Sequence, residues 1–565
     1  MPHQLQHITD LAEILFELGV KDIVISPGSR NAPLIKAFYS RFGKSCTSLV
    51  DERSAAYFAL GKSLASKKPT VLLCTSGTAV LNYAPAIAEA FYQQIPLLVV
   101  TADRPPEWIG QMDNQAIQQN NIFANYIKAS FSLPVSISDF DELWHAHRIV
   151  NEAFHKTNTG NPGPVHINVP LKEPLYENLP EVSKRIQIIR KEETTISLKK
   201  NSTFQTEWEN ANSILIVCGQ FAPDNKLFET IKYISKDQRV VIVAEPVSNV
   251  YEATTICNPE VTFNSKIKYP ETAIPDLVIN IGGQVVSKKI KLFLRGLKNS
   301  TFCRISTDDQ IIDTFQNITS FIVAEPHSIL KELKVQPEGK QNAFKAFWEN
   351  ESKKASHVSS TYINKTGFSD LSVFKEISTQ LPDDAIVFAG NSSVVRYLSY
   401  FNQKNRKYYS NRGVSGIDGC LSTAAGLASK VEENVFALVG DLTFGYDSNA
   451  LWNRNLPKNL KIILINNEGG GIFHLLKGPS ESDDFIPFVN AFHPIDFKNL
   501  AAAFGLKYNL CKNEKELPVS IKNLVLQNNG AEVLEIRTPN NGEPQFTKDF
   551  FRFLNNNYDT ELAND

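Results

Sequence analysis

The sequence lacks any apolar run approaching the roughly 18 residues of a membrane-spanning helix. Its opening, MPHQLQHITD, also lacks the charged-then-apolar order of a signal peptide. A cytoplasmic protein without membrane insertion is the expectation. The seven cysteines, at positions 46, 74, 218, 257, 303, 420 and 511, contain no CxxC pair and suggest no disulfide framework. The ten histidines form no HExxH and no Cys/His cluster, which argues against a zinc or iron site. Charge of one sign is missing too. With 58 basic and 60 acidic side chains the net charge is −2, so the chain is not built to neutralise nucleic-acid phosphates, and any anion site must be local. No strand-like run leads into GxGxxG. AYFALGKS (56–63) ends like a P-loop, but Ala56 stands where the first glycine is required, and the segment reads as helix.

What is present is an ordinary soluble composition, 42% hydrophobic and 21% charged, over 565 residues. That length exceeds a single core and suggests about three domains. Short β-branched runs alternate with helical segments, the rhythm of parallel βαβ units. DIVIS (22–26), TVLLCT (70–75), PLLVVTA (96–102) and VHINVP (165–170) define a first domain, 1–180. A polar stretch, 181–213, reads as linker. SILIVCGQ, RVVIVAEP, DLVINIGG and STFCRIS define a central α/β domain, 214–335. DAIVFAGN, NVFALVGD, KIILINN and AEVLEIRT belong to a third domain, 336–565. The fold class is α/β, with three doubly wound parallel-sheet domains.

Two of these strands end in polar groups. In open parallel sheets ligands bind beyond the carboxyl ends of the strands. NVFALVGD delivers the carboxylate of Asp441 there, and IILINNEGGG (462–471) delivers the amide oxygen of Asn467 and a carbonyl from the glycine-rich turn, most simply that of Gly469. Hard oxygen donors of this kind suit Mg²⁺, or Mn²⁺ in its place, which keeps phosphate and water as its other ligands. The glycines let the backbone approach a charged group closely. Taken alone, NNxGGG is equally a turn after a strand.

The spaced GD…NN pair resembles the diphosphate motif of thiamine diphosphate enzymes, which implies pyrimidine-binding, central and diphosphate-binding domains. The resemblance also requires a glutamate in the pyrimidine-binding domain, and LVDERSAAYFALG (49–61) places Glu52 where a strand gives way to a helix. In that family the glutamate protonates the aminopyrimidine at N1′, a task suited to a raised pKa. Gly413, Ile417, Leu442 and Thr443 are the further cofactor contacts implied, Ile417 as the apolar support that bends the cofactor. Ordinary core packing is its other reading. A homodimer or homotetramer with active sites at the subunit interface is expected.

SPGSRNAPL, TADRPPE, DNQAIQQ, GNSSVVR and SNRGVSGIDGCLSTAAG narrow the resemblance to the 2-succinyl-5-enolpyruvyl-6-hydroxy-3-cyclohexene-1-carboxylate synthase family of menaquinone biosynthesis. It implies decarboxylation of 2-oxoglutarate and addition of the remaining fragment to isochorismate. Two anionic substrates in a nearly neutral protein call for concentrated positive charge. Arg30, Arg104, Arg396 and Arg412 lie in the matching blocks, and guanidinium groups bind carboxylates in a bidentate manner. Asn114, Gln115 and Ser392 are candidate polar contacts. Lys288 and Lys289 stand where the family has Lys-Arg, so Lys289 replaces an arginine. Ile472 and Phe473 are candidate pocket walls. The competing readings are an acetolactate-synthase-like decarboxylase acting on pyruvate, a Mg²⁺-dependent nucleotide-binding protein, and a non-catalytic homologue.

Overall fold

The computed structural model describes residues 3–192, 197–199, 202–251, 255–263, 269–337, 342–401, 406–471, 486–527, 530–539 and 543–557. The chain forms two compact units, one of Met1–Glu193, Asn411–Asn434 and Gly445–Leu460, the other of Thr194–Ser410, Val435–Phe444 and Lys461–Asp565.

The first unit is built on a parallel sheet of β1 (Ile23–Ile25), β2 (Cys46–Ser48), β3 (Thr70–Cys74), β4 (Leu97–Asp103), β5 (Ser130–Ser132) and β6 (Pro164–Pro170), in the order β2-β1-β3-β4-β6-β5. β3, β4 and β6 are buried along their whole length, which explains the apolar runs of β3 and β4; in β6 the buried His166 and Asn168 interrupt the apolar residues and are hydrogen-bonded with Thr101. The helix Glu52–Ser66 crosses the helix Cys420–Ala428 in this unit at backbone contact. A Cβ on Gly61 would lie 2.1 Å from the Thr423 carbonyl oxygen, and one on Gly426 would lie 2.1 Å from that of Phe58. Only glycine permits that approach. AYFALGKS is therefore helical, and its glycine is a packing residue.

The second unit holds two sheets. One has β7 (Ile214–Cys218), β8 (Val240–Ala244), β9 (Leu277–Ile281), β10 (Thr301–Ser306) and β11 (Ser320–Val323), in the order β11-β10-β9-β7-β8. The other has β12 (Ile386–Ala389), β13 (Lys407–Tyr409), β14 (Val435–Gly440), β15 (Leu460–Asn466), β16 (Lys507–Cys511) and β17 (Glu532–Arg537), in the order β13-β12-β14-β15-β17-β16. β14 and β15 are neighbours, so their carboxyl ends lie side by side. The stretch expected as linker is not all irregular. Thr203–Asn210 forms a helix capped by Ser202, and it buries Phe204 and Trp208 in the apolar cluster around β7. Among the described residues no helix is long and apolar enough to cross a membrane.

Candidate active site

Asp441 follows β14 directly and is 2% exposed. Its Oδ1 accepts the Leu442 N–H at 2.7 Å and its Oδ2 the Gly469 N–H at 2.8 Å, which ties the ends of the two strands together. Burial pushes its carboxyl up from the ordinary aspartate value, and those two N–H groups oppose the shift. Thr443 is buried beside it.

The two asparagines after β15 have separate tasks. Asn466, the last residue of the strand, turns inward: its Nδ2 donates to Glu535 at 2.9 Å and its Oδ1 accepts the Glu468 N–H at 3.0 Å. Asn467 donates its Nδ2 to Asp370 Oδ2 at 3.1 Å. An amide whose NH₂ is held on one side presents its oxygen on the other. Asp370 is itself buried and accepts from Thr538 Oγ1 at 2.7 Å; burial raises its carboxyl to about 6, against the bonds from Thr538 and Asn467. Gly469 has φ 144°, and a Cβ there would stand 2.5 Å from the Asn490 carbonyl oxygen, so no other residue fits.

Two polar side chains that local sequence gives no reason to single out also reach this place. The Asn490 amide is 1% exposed, and neither its Oδ1 nor its Nδ2 is hydrogen-bonded among the described residues. His493 Nε2 lies 3.2 Å from Asp441 Oδ2, within ion-pair distance but out of line for a hydrogen bond among the described residues. Buried polar atoms without partners are costly in a closed site and natural in one that receives a polar group. Together with the oxygen donors of Asp441 and Asn467, and the Gly469 carbonyl, which accepts the Gly471 N–H at 3.1 Å and keeps a second lone pair, they fit a hydrated divalent cation carrying a diphosphate.

In the first unit, Glu52 occupies the first turn of its helix, behind the N-cap Asp51, whose side chain accepts the Ser54 N–H at 2.9 Å. Burial raises the Glu52 carboxyl; its own backbone N–H opposes this and the Asp51 charge adds to it. Among the described residues no side chain is hydrogen-bonded to it. Gly413 lies in a loop gripped by the buried Glu89, whose Oε1 accepts the Gly413 N–H at 2.6 Å and whose Oε2 accepts that of Val414 at 2.7 Å. Ile417 is half-buried three residues beyond Val414, and Arg412 is buried. Glu89 is far from this loop in sequence, so no local signal marks it.

The structure brings Arg30 and Arg104 together around one carboxylate. Arg30 Nη2 is 3.0 Å and Arg104 Nη1 3.6 Å from Glu173 Oε1, and Arg104 also pairs with Asp113 at 2.9 Å. Burial lowers the Arg30 pKa and the Arg104 charge lowers it further, while Glu173 opposes the shift. The exposed Asn114 offers its carbonyl oxygen to Arg104, and the exposed Gln115 lies against Gly77 with φ 51°. In the second unit, Ser392 has φ 67° at the turn after β12, and its carbonyl oxygen accepts from Arg396 Nη1 at 3.0 Å. Lys288 and Lys289 open the helix Lys288–Gly296. Ile472 and Phe473 lie outside the described residues.

Three family descriptions match in chain order: the N-terminal binding domain of thiamine pyrophosphate enzymes at residues 8–125, their middle domain at 186–389, and their C-terminal binding domain at 389–536. Fold and site thus define an enzyme of the thiamine diphosphate class. Similarity extends over nearly the full length to curated 2-succinyl-5-enolpyruvyl-6-hydroxy-3-cyclohexene-1-carboxylate synthases. Identity is 40% over 514 residues with that of Desulfotalea psychrophila (90% of this chain, 93% of the relative). It is 36% over 566 residues with that of Cytophaga hutchinsonii (98% and 100%) and 36% over 546 residues with that of Flavobacterium psychrophilum (96% and 98%). The chain belongs to this synthase family.

Proposed function

We propose that the protein joins 2-oxoglutarate to isochorismate with thiamine diphosphate and Mg²⁺, in menaquinone biosynthesis. The bond between C1 and C2 of 2-oxoglutarate breaks, CO₂ leaves, and the remaining four-carbon unit adds 1,4 to isochorismate to give 2-succinyl-5-enolpyruvyl-6-hydroxy-3-cyclohexene-1-carboxylate. The observation that carries this reading is the convergence of Asp441, Asn467 and Gly469 at the ends of adjacent strands, in a chain related along its length to such synthases.

Asp441, Asn467 and the Gly469 carbonyl would hold Mg²⁺ and through it the diphosphate. Leu442, Thr443, Gly413 and Ile417 would bind and shape the cofactor. Thiamine diphosphate supplies, when bound, the carbon nucleophile and the electron sink that decarboxylation needs. Glu52 would hold a proton at the aminopyrimidine N1′, a role that the upward push of burial on its carboxyl supports. Arg30, Arg104, Arg396, Arg412, Lys288 and Lys289 orient the substrate carboxylates, with Asn114, Gln115 and Ser392 as neutral contacts. The carboxylate of Glu173 between Arg30 and Arg104 marks a place where a substrate carboxylate would be received. Glu52 and Asp441 belong to different units, and a homodimer, alone or paired into a homotetramer in the cytoplasm, is the active form in this reading.

CO₂ release from 2-oxoglutarate, measured with and without isochorismate, tests the assignment. Fast release only with isochorismate, together with loss of its ultraviolet absorbance, is expected. Equal release without it, or release from pyruvate alone, would replace the assignment with a simple decarboxylase or an acetolactate-synthase-like enzyme.

Asp370 is the positioning residue for Asn467. Replacing it with alanine frees the amide to turn and removes a carboxylate next to the metal ligands. Metal-dependent cofactor affinity, read by fluorescence quenching during a Mg²⁺ titration, is expected to fall about tenfold or more, the usual effect of losing an outer-shell partner. An unchanged titration curve would show that Asn467 does not depend on Asp370.

A further inference from the structure

The helix Glu543–Asn557 closes one side of a cavity of about 530 Å³ in the second unit. Ser287 and Lys288 line it from the start of the helix Lys288–Gly296, Arg396 and Tyr400 from the segment after β12, and Lys548 and Phe551 from the closing helix. Its volume is that of a small-molecule site. The sequence motifs account for Lys288 and Arg396, but none of them reaches residues 543–557.

The charge in this cavity is unbalanced. Its one lining acid, Glu260, is already engaged: Oε2 accepts from Ser287 Oγ at 2.5 Å and from the Lys288 N–H at 3.0 Å. Arg552, also at the rim, is paired with Asp549 at 2.8 Å. Among the described residues, Lys288, Arg396 and Lys548 have no carboxylate within ion-pair distance. Adjoining them, the half-buried Lys289 turns its Nζ to the Phe551 ring, 4.1 Å from the centroid. Burial lowers that ammonium to about 8, with Glu260 opposing the shift. Cations gathered against apolar walls without counter-charge raise the local concentration of anions. Tyr400, Phe551 and Val286 supply an apolar side, so the complementary ligand is an organic acid rather than a bare inorganic anion.

We propose that this cavity is an organic-carboxylate site in which Lys548 receives a carboxylate and determines specificity, while Phe551 holds Lys289 alongside. The proposal rests on the reading of the protein as a synthase of two anionic substrates. The carboxylate belongs either to one of those substrates or to a small organic acid that modulates the enzyme.

Lys548→Met keeps the aliphatic stem and removes the charge, and Lys548→Arg keeps the charge. In the full-length, cofactor-loaded protein, succinate titrated by calorimetry serves as a dicarboxylate probe, with KM measured for each substrate in parallel. Loss of one charged hydrogen bond should weaken succinate binding about tenfold in Lys548→Met, with thiamine diphosphate affinity unchanged and most of the loss recovered in Lys548→Arg. A matching rise in one KM at constant kcat assigns the carboxylate to that substrate. Weakened succinate binding with both KM values unchanged assigns it to an effector. No difference between wild type and Lys548→Met in either measurement overturns the proposal. A wild-type protein without turnover on 2-oxoglutarate and isochorismate would sink the functional reading instead, while the succinate titration would still decide this one.

Discussion

Glu52→Gln is expected to keep thiamine diphosphate binding and lose most turnover, with kcat reduced about 10²–10⁴-fold, the range that a positioned acid or base contributes. Glutamine preserves the size and hydrogen-bonding reach of the side chain but cannot hold or release the proton. The helix should tolerate the change, because Asp51 provides its N-cap and no other side chain among the described residues is hydrogen-bonded to Glu52. The raised pKa reports what folding the protein around a carboxyl costs, so the substitution should not lower the melting temperature. A normal kcat in this variant would remove Glu52 from the mechanism, and lost cofactor binding would make it a binding residue instead.

Asp441→Ala should act at the opposite step. It removes a carboxylate ligand from the site read as Mg²⁺-binding, and the cofactor should no longer bind at concentrations that saturate the wild type. The measurement is the rise in melting temperature on adding thiamine diphosphate with Mg²⁺. A ligand at about 100 times its Kd stabilises a protein by roughly 2.7 kcal/mol, and in this variant that increment should vanish. Glu52→Gln should retain it, so the pair of variants separates binding from activation. The apoprotein of Asp441→Ala loses two hydrogen bonds, to the N–H groups of Leu442 and Gly469, but also sheds a buried carboxylate. Its own melting temperature should therefore change less than the ligand-induced increment. An undiminished increment would disprove the role given to Asp441.

The strands were legible in proportion to their burial. β3, β4, β7, β8 and β15 are buried at every residue, and each contains at least four consecutive apolar residues. β5, β11, β13 and β16 were not picked out, and β2 only as the strand ahead of Glu52. Each lies at a sheet edge, β2 and β5 bounding the first sheet, β11 one side of the second, and β13 and β16 the third; β2, β5 and β11 bury no residue and β13 and β16 one each. An edge strand takes half its stability from a neighbour that its own sequence does not mention. The helix at Thr203–Asn210 was hidden for a related reason: its polar composition reads as linker, and its two buried aromatics find their partners only in the folded domain.

The site divides along the same line. By itself the sequence determined that oxygen donors stand at the carboxyl ends of two parallel strands and that an acid opens a helix in another domain, because strand period and helix capping are local properties. Only the tertiary structure gave a reason for Asn467 over Asn466, whose amide is taken by Glu535 and the Glu468 N–H, and only it decided that Asp370 and Glu89 hold Asn467 and the Gly413 loop and that Lys548 lines a cavity with Arg396. Those outcomes depend on contacts between residues far apart in the chain, whose geometry is set by packing and the pairing of buried polar groups.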